Sequence, residues 1–412
     1  MTEAFVVVGG SVSQLGVFER AKARGHAVCV VDGSERAPLL HAADVGICRS
    51  FAEVDAVLGE LHDRGVRPVA VATMGSDQAV LPTAQLAAAL DLPGLSMQTA
   101  EAVSDKRRMR AALAAAGVPC APARDATSPA EAVAAWEELE PPLVVKPVDG
   151  SGQRGVTEVR DRDEVEPALE RALAASRRGV AVVERYLEGD EYTVNGFSLG
   201  ADYRPITVTR RVLHDPPPLG VAMAHRYPSG LSKEQERELF DVAAATCRAV
   251  GLETGPSYVQ LRLDDGRATV IEIGGRLGGG KDAELAQLVT GFDAIDAAVD
   301  AALGQLTREA LFGGGDPVAP VGQVRFFLGR PGRIMRLDAS PALELEGVHE
   351  AGFYWREAME LPPLVSGAER LGYVLVTADT EEELEARTRR AVAALDVETV
   401  EEGALLGAVS GA

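Results

Sequence analysis

Strand-like and helix-like segments alternate through the first hundred residues, and this alternation constrains the fold more than any other feature of the chain. Short apolar runs at 5–8, 27–31 and 69–73 read as strands. Amphipathic segments at 13–24, stopped by Gly25, and at 81–90 read as helices. Such alternation predicts a parallel, doubly wound sheet, because each crossover helix must cover one of its faces. A dinucleotide site does not follow. The first turn reads Gly9-Gly10-Ser11-Val12-Ser13-Gln14, without the Gly-x-Gly-x-x-Gly spacing, and an acid such as Asp32 after the second strand is common in such sheets.

Beyond residue 100 the pattern changes. A helix over 104–116, with Ser104 as N-cap and Gly117 as its stop, leads into a smaller α/β unit. That unit holds strands at 143–146, 156–159 and 180–184, a glycine-rich turn at 149–155 and a helix at 163–174. Strands at 192–199, 206–211, 257–263 and 269–273 then predict a mixed or antiparallel sheet, accompanied by helices at 233–250 and 282–288. The run Gly313-Gly314-Gly315-Asp316-Pro317 marks a boundary, followed by strands at 322–328 and 371–377 and a helix at 380–395. The expected fold class is α/β and α+β in several domains. Residues 1–100 form the doubly wound N-terminal domain, 101–312 a central domain with a subdomain at about 121–187, and 313–412 a C-terminal α/β cap.

Charge and cysteine usage remove several functions. With 62 acidic against 41 basic residues the net charge is −21, which disfavours a general nucleic-acid or anionic-membrane surface. No apolar run approaches the ~18 residues of a membrane span. The start Met1-Thr2-Glu3-Ala4 lacks a basic signal-peptide region. Cys29, Cys48, Cys120 and Cys247 are too scattered for a zinc knuckle or a disulfide scaffold. A cytoplasmic, reduced protein is expected. Only five of the 41 basic residues are lysines (22, 106, 146, 233 and 281), so arginine supplies the other 36. An ammonium is a compact point charge that a guanidinium does not replace at a phosphate, so each lysine merits inspection.

Three segments carry chemistry. In the first, Lys146 ends a buried strand and Asp149-Gly-Ser-Gly-Gln-Arg-Gly155 follows, a loop whose glycines let amides crowd a phosphate; a plain hairpin with a snorkelling lysine is the structural alternative. In the second, Glu184, Tyr186 and Leu187 lead through a short linker to Glu191, an arrangement able to present backbone groups to a purine and an acid to ribose, or simply a solvated linker. The third is a hairpin turning at 264–267, with Gln260 and Glu272 on adjacent strands at an even separation compatible with a shared face. Oxygen donors of this kind suit magnesium, and Arg276 beyond them suits charge developing on a phosphoryl group. The stretch from Gly275 to Lys281 also matches Gly-x4-Gly-Lys, but Asp282 stands where a P-loop needs Ser or Thr.

In this order, with Lys106 early on a helix ahead of them, the segments resemble the ATP-grasp superfamily. Within it the likeness is to L-amino-acid ligases and related carboxylate–amine ligases, extended by residues 325–334 and 371–376. The resemblance implies a pre-ATP-grasp domain, an ATP-grasp fold with a lid, and a C-terminal domain. It implies that Lys106 and Lys146 contact ATP phosphates and that the loop with Ser151, Gly152 and Gly155 closes over them. By the same likeness Glu184, Tyr186 and Leu187 frame adenine, Glu191 binds ribose, Gln260 and Glu272 hold Mg2+ (or Mn2+), and Arg276 is catalytic. Two positions depart from the family pattern: Gln260 stands where many members carry an acid, and Gly274 where most carry Asn.

The reaction implied joins a small carboxylate to an amine through an acyl phosphate, with release of ADP. Its partners are small molecules, and the likeness adds a homodimer. Candidate substrate contacts are the Gly278–Gly279 amides, His225 and Arg325, with Arg210, Arg211 and Arg330 as further carboxylate-binding candidates. A carrier-protein thiol or larger amine as acceptor, or a non-catalytic ATP-binding module, are the alternatives.

Overall fold

The computed structural model describes residues 2–150, 152–215 and 220–400, in two compact units. The first comprises the described residues up to Ala121, Leu187–Val208 and Leu231–Pro317. The second comprises Pro122–Tyr186, Thr209–Gly230 and the described residues from Val318 onward.

The first unit opens on a four-stranded parallel sheet, in spatial order Val45–Cys48, Ala27–Asp32, Thr2–Val8 and Val66–Ala72. The strand Thr2–Val8 is apolar at every buried position because both of its faces are covered. Phe5 and Val7 enter one apolar core, whereas Ala4, Val6 and Val8 enter another, as the two-residue strand period requires. Asp32 has a structural task here: its carboxylate accepts from the amides of Gly10 (2.7 Å) and Ser34 (2.8 Å), pinning the turn that the dinucleotide fingerprint would need.

The same unit holds the antiparallel strands Asp190–Leu199, Thr254–Asp264 and Arg267–Gly274, against which the helix Lys233–Ala249 packs. One sequence expectation is corrected. Ser104 is the last residue of the helix Met97–Ser104, and Asp105 caps the next helix, Lys106–Ala115, by accepting from the amides of Arg107 and Arg108. Asp105 Oδ1 accepts from both amides while Oδ2 meets the Arg107 guanidinium, and Asp105 is buried while it does so.

In the second unit Ala123–Ala126, Ala181–Arg185, Leu143–Pro147 and Thr157–Val159 form an antiparallel sheet whose core is shared with the helices Pro129–Leu139 and Val165–Ala175. A second antiparallel set runs Ala222–Tyr227, Val321–Phe327, Gly372–Ala378 and Val348–Phe353, with Leu384 and Ala391 of the helix Glu381–Ala394 in its core. Among the described residues no helix is long and apolar enough to cross a membrane.

Burial separates the cysteines. It pushes the Cys29 thiol up to about 12 and the Cys247 thiol up to about 11, whereas Cys48 is exposed. Because the thiolate is the nucleophile, iodoacetamide on the native protein at about pH 8 is expected to label Cys48 and to spare Cys29 and Cys247 until unfolding, as read by mass spectrometry.

Candidate active site

The hairpin Thr254–Asp264 to Arg267–Gly274 turns at Asp265-Gly266, both with positive φ (46° and 74°), as a tight two-residue turn demands. Near the turn Asp264 faces Arg267 and Leu261 faces Val270, pairs of odd separation. Continued unbroken, that register would set Gln260 opposite Ile271 and send Glu272 to the other face. A bulge between Gln260 and Leu261 shifts the pairing by one residue and brings Gln260 directly opposite Glu272. The even spacing thus gives a shared face only because of the bulge. The Gln260 amide Nε2 donates to Glu272 Oε1 at 2.9 Å, and Lys106 Nζ, on a helix of the same unit, lies 3.5 Å from Glu272 Oε2. One carboxylate therefore meets an amide and an ammonium.

Two residues past the hairpin Arg276 is buried. Its Nη2 lies 2.6 Å from Asp77 Oδ1, its Nε donates to the same oxygen at 2.9 Å, and its guanidinium sits over the Tyr258 ring at 4.9 Å. Burial opposes the charge, but Asp77, Tyr258 and Glu272 outweigh it and hold the Arg276 pKa above its ordinary value. A Cβ at Gly274 would lie 3.1 Å from both Arg276 Cζ and Asp77 Oδ1, so the ion pair fills the space a side chain there would enter. The segment beyond is clamped. The Gly75 amide donates to the Leu277 carbonyl at 3.0 Å, a Cβ at Gly279 would meet the Gly75 carbonyl oxygen at 2.8 Å, and one at Gly278 would meet the Tyr258 ring at 2.6 Å. These two glycines therefore have a packing reason. Lys281 takes a left-handed conformation (φ 62°) and pairs with Glu284 at 2.9 Å.

The other candidates divide between the units. In the first, Glu191 faces Arg262 across the strands, with Oε2 3.6 Å from Arg262 Nη2, and Leu187 opens the segment that leads to it. In the second, the buried Lys146 Nζ lies 2.6 Å from Glu184 Oε1 across neighbouring strands, and the Tyr186 amide donates to the Pro142 carbonyl. Gly152 and Gly155 both have positive φ in the loop that follows, where Asp149 accepts from Ser176 Oγ at 2.7 Å; Ser151 lies outside the described residues. His225 is buried, pairs with Arg211 (3.3 Å between Nε2 and Nη1) and meets Phe326 edge-on. Register sets His225 opposite Arg211 and Val324, but Arg325 opposite Ala224. His225 and Arg325 therefore point to opposite faces of the sheet, and the structure does not bring them together.

The family model for the carbamoyl-phosphate synthase L chain, ATP binding domain, matches residues 105–310, half of the chain. The chain belongs to the ATP-grasp superfamily of ADP-forming ligases. A second model, L-amino acid ligase C-terminal domain 2, matches residues 325–400. This ATP-grasp chain is 28% identical over 349 residues to the uncharacterized protein y4rH of Sinorhizobium fredii, covering 83% of this chain and 71% of that one. It is 26% identical over 240 residues to alanine–anticapsin ligase of Bacillus subtilis, covering 52% and 50%, so it spans half the length of that named ligase. The crystal structure of an L-amino acid ligase from Bacillus licheniformis has the same fold, with a TM-score of 0.82 at 22% identity over 97% of this chain and 99% of that one.

ATP-grasp membership calls for a divalent cation, and the hairpin fits one. Among the described residues no three His, Cys, Asp or Glu side chains gather into a ready-made metal site. Magnesium asks for less, one or two protein oxygens with phosphate oxygens and water completing its octahedron. Glu272 provides a carboxylate, and a half-turn of the Gln260 amide would present its oxygen beside it. Asp77 is the residue that sequence inspection missed. It lies 199 positions from Arg276, and its only local signal is its place after the Gly75-Ser76 turn at the start of the helix Asp77–Ala89.

Removing Asp77 leaves a buried guanidinium without its carboxylate. The side chain of Arg276 is 8% exposed and that of Asp77 33%, so Asp77→Ala is expected to cost about 2 kcal/mol, below the ~3–5 kcal/mol of a fully buried pair, as read by denaturant unfolding.

Proposed function

We propose that the chain is an ATP-dependent carboxylate–amine ligase that forms an amide or peptide bond on an amino acid or small biosynthetic carboxylate. The observation that carries the proposal is Glu272, on the hairpin that leads into the buried Arg276; its two oxygens meet Gln260 of the same hairpin and Lys106 of a helix. The match of residues 325–400 to an L-amino acid ligase domain favours amino-acid substrates. An oxygen of the first substrate's carboxylate attacks the γ-phosphorus of ATP, the bond to the β–γ bridging oxygen breaks, and ADP departs. The amine of the second substrate attacks the resulting acyl carbon, phosphate leaves, and the nitrogen gives up a proton.

Such a transfer needs alignment and charge neutralisation more than covalent help. Lys106 and Lys146 take the phosphates, the loop with Ser151, Gly152 and Gly155 covers them, Glu184, Tyr186 and Leu187 frame the base, and Glu191 takes the ribose. Gln260 and Glu272 would hold magnesium, which would neutralise charge on the phosphoryl oxygens. Arg276, held by Asp77, meets the charge that develops during transfer. His225 and Arg211, which contact one another on one sheet face, are the pair we propose for a substrate carboxylate, with Arg325 on the opposite face.

Product analysis with hydroxylamine as amine, across a panel of carboxylic acids, tests the proposal. ADP with a hydroxamate is expected; AMP would overturn the acyl-phosphate route, and ATP binding without either product would favour a non-catalytic module. Arg276→Ala is expected to lower turnover about 100- to 1000-fold with little change in ATP affinity. Lys146→Ala is expected to weaken nucleotide binding about tenfold or more, since it also leaves Glu184 buried beside the nucleotide, as read by calorimetry.

A further inference from the structure

A cavity of about 380 Å³ lies in the first unit, walled by Ala84, Leu95, Pro256, Gly275, Ala298 and Ala301 among others. Among the described residues no charged side chain lines it. Its polar side chains are threonines, and two of them are already committed: Thr83 Oγ1 donates to the Ala79 carbonyl at 2.7 Å and Thr73 Oγ1 to the Val8 carbonyl at 2.9 Å. An ordered water needs about two to four polar partners, so these walls favour apolar contents. An apolar cavity of about 150 Å³ already accepts benzene, and ligand pockets run from about 300 to 1,000 Å³. The space therefore matches a fused aromatic ring or a branched hydrocarbon, and it brings no opposite charge to an ammonium or a carboxylate.

The cavity also borders the proposed catalytic segment from behind. A Cβ at Gly274 would point to Arg276 and Asp77, whereas a Cβ at Gly275 would meet Leu95 Cδ1 at 3.0 Å and Val103 and Leu252 beyond it. A single peptide unit thus has the buried ion pair on one side and the apolar wall on the other. We infer that this cavity binds a small, uncharged, apolar molecule, and that its occupancy is coupled through Gly275 to the segment carrying Arg276. The coupling matters for catalysis only if the ligase proposal holds, but both binding and coupling are measured without nucleotide or substrate.

Indole serves as the probe, with binding followed by ligand-observed NMR and coupling by hydrogen exchange of the full chain. Indole is expected to bind the unmodified protein and to slow amide exchange several-fold over residues 275–281. Ala298→Leu and Ala301→Leu, each filling the cavity from the helix Ala294–Ala302, are expected to bind it about tenfold more weakly. Two variants guard against a single misfolded one, and thermal unfolding of each checks that it is native. No binding up to the solubility of indole, or equal binding in both native variants, would overturn the site. Binding with unchanged exchange over 275–281 would overturn the coupling.

Discussion

A buried guanidinium must be answered by a carboxylate, and the geometry of the first unit follows from how Arg276 is answered. Taking a cation out of water costs several kcal/mol, and only a close, well-oriented partner recovers it. Asp77 does so from the first turn of a helix that follows the parallel sheet. That demand brings the turn at Gly75 against the chain at 277–279, at distances only glycines permit. The face of Tyr258 completes the enclosure. The arginine is thereby fixed in position before any ligand arrives, and a preorganised charge needs no rearrangement to act.

The two lysines assigned to phosphates share an electrostatic logic. Each ammonium sits against a carboxylate of its own unit, Lys106 near Glu272 and Lys146 at Glu184. In a chain of net charge −21 such local pairs keep isolated cations from being buried unpaired. Each ammonium carries three N–H donors, so one carboxylate oxygen does not exhaust it, and under the ligase proposal a phosphate would share it with the carboxylate. A divalent cation at Glu272 would ease that sharing by taking over one of the carboxylates.

The parts of the fold that were legible in the sequence are those set by local physics. The strand Thr2–Val8 shows as an apolar run, and the hairpin shows through Asp265-Gly266, because propensity and turn chemistry act over a few residues. The cap at Asp105 lies one residue beyond the position the sequence suggests, since Ser104 and Asp105 are both good capping types and Ser104 is taken up in the preceding helix. Spacing alone suggests the Gln260–Glu272 pair but does not account for it. The bulge that aligns the two side chains leaves no mark in spacing alone. Asp77 and the split between His225 and Arg325 were invisible, because each depends on partners brought together only by the folded sheets.

The bare backbone at Gly274 ties two distant positions into one evolutionary unit. A side chain at 274 presses on room that Asp77 and Arg276 now share, and a smaller residue at 77 would free Asp77's part of it. Lineages that gain a bulkier residue at 274 should therefore change position 77 as well, and substitutions at the two sites should appear in company rather than singly.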